Sequence, residues 1–267
     1  MEKAPAASAY TSTDILDLLS QPRLEPYRRI FKFKTESELL GVYHWAQAVS
    51  ANFHPLLGLL EVVLRNAIHT SLSKQCTRQA YESFAWYDRD QPTHIALKGK
   101  SLAKVEALLC QGNPPIRKLL QPSPDVVVSR LSLGFWPNVL EELNHRYAPR
   151  TFTDVFPFHP HSKPRHWSIE ANKQDIMRRL KKLQDLRNRI SHFEAIWKPY
   201  WLGVQASHWS QCVIGLQNLH HLMVELLGWC SQDARNHYRD SIGYANFNKL
   251  CATQAVLDFA KSAGLQA

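Results

Sequence analysis

The chain has 267 residues, 45% of them hydrophobic, and a formal net charge of +9 with its 13 histidines counted as neutral. That apolar content excludes global disorder, and with only 10 glycines a turn-rich all-β fold is disfavoured. The positive charge favours a polyanionic partner, with RNA, DNA and a membrane surface all open. No apolar run is long enough to span a bilayer, and "MEKAPAASAYTSTD" has no signal-peptide character, so the expected location is the cytoplasm and no membrane partner is expected. Five widely spaced cysteines without a C-x-x-C pair read as reduced thiols.

Residues 1–12 are small, aperiodic and Pro/Ser-containing, and are expected to be disordered. Residues 13–267 are expected to form a single all-helical domain. Thr13-Asp14 is a cap signal for a short helix ending before Pro22. Glu36 to Ala51 reads as a helix. In "NFHPLLGLLEVVLRNAIHTSLSKQC", Asn52 is the candidate N-cap, Pro55 sits in the first turn, and Leu56, Leu60, Leu64 and Ile68 follow helical spacing. A helix is expected from Thr93 to Cys110, ended by "QGNPP". Gly134 and Pro137 then separate two helices. Residues 148–168 read as a proline- and histidine-rich loop. The following helix runs from Ser168 to about Trp197, stopped by Pro199. Two more cover Val204 to Trp229 and Ala245 to Lys261. The one strand candidate is "DVVVS". The fold class is all-α, with roughly seven to nine helices.

The chemistry concentrates in "LQDLRNRISHFEAIW", Leu183 to Trp197. Ile176, Leu180, Leu183, Ile190, Phe193 and Trp197 make one apolar stripe on a helical wheel. Asn188 and His192 share another flank, at the stripe's edge. Histidine exchanges protons near neutral pH, its ordinary pKa being about 6.5. Arginine holds a phosphoryl group bidentately. Arg187, Asn188 and His192 are therefore suitable parts for cleaving RNA without a metal, by attack of the ribose 2′-OH on the adjacent phosphate.

"RNRISH" followed by "FE" resembles the R-x4-6-H signature of HEPN domains. "YHWAQAVSANFHPLLGLLEVVLRNAIHTSL", "SRLSLGFWPNVLEEL" and "LRNRISHFEAIW" resemble, in order, segments of the Abi-like (abortive infection) branch of that superfamily. The resemblance spans about residues 40–230, with the helix at 245–263 appended to it. It implies an all-helical HEPN-type bundle, often dimeric, acting as a metal-independent ribonuclease in phage defence or a toxin–antitoxin pair. Arg187 and His192 are the implied catalytic residues and Asn188 their polar companion. Some members of that branch are associated with small noncoding RNAs that restrain toxicity, so the resemblance also implies a small noncoding RNA antitoxin as partner. Many relatives carry a second histidine where this chain has Phe193, so an auxiliary proton carrier or RNA ligand is lost. One motif supplies one histidine, while in-line cleavage benefits from a base and an acid, so a homodimer is expected to complete the site.

Glu61, Arg65 and His69 fall on one polar stripe with Asn66 alongside, either as a buried ion pair fixing the packing or as support for the motif. Glu194 is expected to pair with Arg187 or Arg65. The basic run with Arg178, Arg179, Lys182 and Arg189 is either a solvated face or a phosphate-binding ridge. Lys163 and Arg165, in the loop with His159, His161 and His166, fit RNA contact better than a metal site, and no metal or cofactor is expected. The rival to the ribonuclease is a noncatalytic RNA-binding or regulatory module of the same defence system.

Overall fold

The computed structural model describes residues 11–78, 83–205 and 208–262, so the N-terminal expectation for residues 1–10 lies outside the described residues. The described chain is all-α. In chain order the helices are α1 (Ser12–Asp17), α2 (Gln21–Phe31), α3 (Glu36–Asn52), α4 (His54–Thr77), α5 (Gly99–Leu109), α6 (Pro124–Arg130), α7 (Phe135–Glu142) and α8 (Ala148–Val155). They continue with α9 (Pro164–Trp167), α10 (Glu170–Ser191), α11 (Pro199–Leu202), α12 (Ser210–Cys230), α13 (Gln232–Arg239), α14 (Ile242–Leu250) and α15 (Thr253–Ser262). The strands among the described residues are β1 (Cys110–Gln111) and β2 (Ile116–Arg117), an antiparallel pair.

Several sequence expectations are corrected. α1 starts at Ser12, because Thr11 rather than Thr13 caps it: the Thr11 hydroxyl accepts from the Asp14 amide and the Asp14 carboxylate accepts from the Thr11 amide. Asn52 ends α3 instead of capping α4, its Nδ2 donating to the Ala48 carbonyl at 2.9 Å. "DVVVS" is helical, in α6. Ser123 caps that helix, Pro124 fits its first turn, and burial of Val127 and Val128 overrides the β preference of the valines. The expected loop at 148–168 contains α8, where Pro149 again sits in the first turn and Thr151, Phe152 and Val155 are buried at helical spacing. α5 starts only at Gly99, because the preceding segment runs extended, with the Ile95 amide on the Trp86 carbonyl at 2.7 Å. The single helix expected at 245–261 is two. The carbonyls at its break are captured from the side, by Trp45 Nε1 on Leu250 (2.9 Å) and Gln217 Nε2 on Cys251 (2.7 Å).

The chain divides into two compact units: residues 1–55, 188–221 and 240–267, and residues 56–187 and 222–239. α4, α10 and α12 contribute to both. In the first unit, α1, α2, α14 and α15 pack on α3. Gly41 lets α15 approach so closely that a Cβ there would lie 2.1 Å from the Phe259 carbonyl oxygen. Tyr27, Phe31, Trp45 and Trp197 form an aromatic cluster, Trp197 meeting Tyr27 and Phe31 edge-on at 4.8 and 4.9 Å. In the second unit Leu60, Leu64, Ile68 and Leu72 line the buried face of α4, and Ile176, Leu180, Leu183 and Leu186 that of α10. Trp86, Trp136 and Trp167 are fully buried there. Among the described residues no helix is long and apolar enough to cross a membrane.

Candidate functional site

The end of α10 carries the motif. The Glu194 amide donates to the Arg189 carbonyl at 2.8 Å and the Phe193 amide to the Ile190 carbonyl at 3.1 Å. Those two bonds, closing over a residue in the left-handed region, are a Schellman cap. The left-handed residue is Phe193, with φ of +54°. Arg23 Nη1 then holds the Phe193 carbonyl at 2.8 Å. Arg189 ties the far side of the turn. It pairs with Glu194 at 2.7 Å and lies over the rings of Trp201 and Tyr200, 5.0 and 5.8 Å from their centres.

The cap corrects the expected site in three ways. α10 stops at Ser191 rather than near Trp197. Phe193 is 68% exposed and does not join the apolar stripe. His192 is exposed rather than shielded at the stripe's edge. The physical reason is the same for all three: a left-handed residue turns the chain off the helix axis, so the helical period ends at Ile190. Trp197 is buried by a separate approach from the loop, among Tyr27 and Phe31.

Arg187 and Asn188 are half-buried. Asn188 and His192 stand one turn apart on one flank, the His192 amide donating to the Asn188 carbonyl at 3.0 Å. Arg187 and His192 are five residues apart, which places them about 140° apart around the axis. Among the described residues, the side chains of Arg187, Asn188 and His192 make no hydrogen bond or ion pair.

Their neighbours are engaged. Arg178 pairs with Asp175 (2.9 Å), and Arg179 with Asp175 (2.9 Å) and Glu225 (2.6 Å) while lying 4.2 Å over the Trp229 ring. Lys181 pairs with Asp185 at 3.0 Å. Arg178, Arg179 and Lys181 of the expected basic ridge thus meet three carboxylates, Asp175 and Asp185 on their own helix and Glu225 on α12. Lys182 lines a cavity of about 650 Å³ whose apolar walls include Leu140, Phe152 and Met177. Glu194 pairs with Arg189, not with Arg187 or Arg65.

The Glu61–Arg65 ion pair is not formed among the described residues. Arg65 Nε is buried without a hydrogen-bond partner. His69 leaves that stripe for the interior, where its Nδ1 accepts from Trp86 Nε1 at 2.9 Å. Asn66 is exposed and shares an open cavity of about 550 Å³ with Thr70 and Lys74 of α4 and Arg150 of α8. Among the described residues Arg150 spends only its Nε, on Asp154.

Lys163 and Arg165 are exposed around the start of α9. The rings of His159, His161 and His166 gather with centres 5.3 to 6.0 Å apart. Burial, then the neighbouring imidazoles, pushes His159 below its ordinary pKa, and His166 likewise by burial and His161. Trp167 is fully buried and packs against His159 and His166. Among the described residues no group of three or more His, Cys, Asp or Glu is placed to hold a metal ion.

Arg23 and the Trp86–His69 pair went unseen in the sequence. Arg23 meets Phe193 across 170 positions, and no local pattern announces such a contact. Lys74 and Arg150 carry no motif that singles them out, and Arg150 reads as an ordinary i,i+4 partner of Asp154. In comparison with known proteins, the chain matches no protein-family model, no curated protein and no solved structure.

Proposed function

We propose that the protein is a metal-independent endoribonuclease of the HEPN type, acting in an abortive-infection or toxin–antitoxin system. One observation carries the reading. On a helix whose other arginines are held in ion pairs, Arg187, Asn188 and His192 keep their polar groups unspent. Unspent donors and a free imidazole on a rigid helix end are what acid–base attack on a phosphodiester requires. In the reaction, a histidine takes the 2′-OH proton as that oxygen attacks phosphorus. Arg187 steadies the equatorial oxygens. The 5′-oxygen leaves with a proton from a general acid, giving a 2′,3′-cyclic phosphate and a 5′-hydroxyl.

The angle of about 140° between Arg187 and His192 keeps them from meeting one phosphate side by side. A second copy of the chain supplies the complementary pair across a twofold axis, one histidine as base and the other as acid. The same angle favours the rival in a monomer, a noncatalytic RNA-binding module. Small noncoding RNA is the proposed restraint, and the cytoplasm the proposed location.

The test expresses wild type, His192→Ala and Arg187→Ala, and follows growth and total RNA integrity, then repeats cleavage with purified protein in EDTA. RNA breakdown by wild type alone, unaffected by EDTA, supports the reading. Equal breakdown by His192→Ala rejects the catalytic assignment, and RNA binding without cleavage by wild type selects the rival.

A further inference from the structure

Phe193 holds its position against two penalties. A left-handed backbone is unfavourable for a residue with a Cβ, and more so for a bulky one. Its ring also leaves 68% of the residue's surface in water. The cap needs neither penalty, because its two hydrogen bonds, from the Phe193 and Glu194 amides, and the Arg23 contact all use main-chain atoms and none of the Phe193 side chain. Glycine, the usual residue at this position, would make all three without strain. Nothing in the local fold therefore explains the phenyl ring.

Its neighbours are an imidazole, two guanidiniums and one carboxylate, Glu194, which is paired with Arg189. His192 precedes it, Arg23 is bonded to its carbonyl, and Arg189 braces the turn from the other side. An exposed aromatic ring beside a surplus of cations, here Arg23 and Arg189 against Glu194, is an arrangement that binds single-stranded nucleic acid, with bases stacked on the ring and phosphates held by the charges. A second copy of the chain is a poorer occupant of the ring itself. Phe buries about 150–250 Å², whereas a stable interface takes about 800 Å² from each partner. The other exposed large apolar residues of this unit are Leu18, Tyr200, Ile214 and Ile242, of which Tyr200 shares the Arg189 turn, its ring centre 5.8 Å from that guanidinium.

We infer that Phe193 is a stacking platform for an unpaired nucleobase, a positioning residue that sets the strand against His192. The inference rests on the ribonuclease reading and names how that site grips its substrate. It gives the strained turn a purpose: the left-handed conformation leaves the ring exposed at the helix end, one residue from His192.

The experiment measures two quantities that a purely structural role would move together. Thermal melting and binding of a fluorescein-labelled 12-nucleotide single-stranded RNA, by anisotropy, are compared for Phe193→Gly and Phe193→Trp in a His192→Ala background. Removing the strain in Phe193→Gly raises the melting temperature by about 2–4 °C, while affinity falls roughly tenfold. Phe193→Trp keeps the affinity, and a duplex RNA, whose bases are already stacked, binds all variants alike. Unchanged single-strand affinity in Phe193→Gly overturns the inference, as does conversion of a wild-type dimer to a monomer by the same change, which assigns the ring to an interface. Cleavage by wild type that persists in Phe193→Gly with unchanged KM overturns the platform and leaves the ribonuclease standing. Absence of any RNA binding by wild type removes both.

Discussion

Trp86 donates its indole N–H to Nδ1 of His69 at 2.9 Å, with both residues buried. That bond fixes the neutral tautomer with its proton on Nε2, which lies 4.0 Å from Asp125 Oδ1. Burial lowers the His69 pKa, and Asp125 opposes the shift only in part. Replacing Trp86 by Phe keeps an aromatic ring there but leaves a buried acceptor unpaired, at a cost of about 1–3 kcal/mol. Urea unfolding at pH 7.5 should show a lower midpoint with an unchanged slope, and an unchanged midpoint would count against this pairing.

His220 sets part of the acid limit of stability. It lies flat on Phe247, with ring centres 3.7 Å apart, and meets Phe53 edge-on. Burial, then His221, lowers its pKa to about 4. A depressed folded pKa means that the unfolded chain takes the proton first. The contribution is therefore whole above pH 6.5 and is lost as pH falls toward 4, reaching roughly 3 kcal/mol. His220→Phe should flatten the fall in stability across that window relative to wild type. Parallel curves from pH 7 to 4 would show that the histidine titrates normally.

Gly41→Ala tests the closest helix contact. The added methyl would sit 2.1 Å from the Phe259 carbonyl oxygen and 2.7 Å from its carbon, both backbone atoms. α15 must then move away from α3, and overpacking of this kind costs about 1–3 kcal/mol or more. Circular dichroism melting should show a markedly lower transition, whereas Gly58→Ala, which meets nothing within 4 Å, should not.

Thiol reactivity should be selective. Cys76, Cys212, Cys230 and Cys251 are buried, and burial raises their pKa values to about 11, 11, 12 and 12. Cys110 is only half-buried, beside the β1–β2 turn. Iodoacetamide on the native protein at pH 8, read by peptide mass spectrometry, should label Cys110 well before the others. Early labelling of Cys230 would contradict its burial.

Arg187→Lys separates charge from geometry at the proposed site. Lysine keeps the positive charge but not the planar two-donor fork. Cleavage should fall by about two orders of magnitude or more, while RNA binding changes little. Comparable losses of both would make Arg187 a binding residue only.

The long helices were legible because their apolar periods are strong: Leu56, Leu60, Leu64 and Ile68 on α4 and Ile176, Leu180 and Leu183 on α10 are buried as the spacing requires. The end of α10 was not. In sequence its period continues through Phe193 to Trp197, and only the backbone reversal at Phe193 shows that the first is outside and the second inside. The same residue moved His192 from a seam into solvent. Ion pairing was also hidden, since Arg189 found Glu194 five positions on, beyond the usual three- or four-residue helical pairing. "DVVVS" misled because valine favours strands on average, while Ser123-Pro124 ahead of it is a helix start.

The eight tryptophans give the chain a spectroscopic property of its own. All but Trp209 are buried, and they divide equally: Trp45, Trp197, Trp201 and Trp209 in one compact unit, Trp86, Trp136, Trp167 and Trp229 in the other. Native emission should therefore be blue-shifted and report each unit with similar weight. Units that melt independently will appear as two red-shifting steps of comparable amplitude, and a single step will mean that they share one cooperative transition.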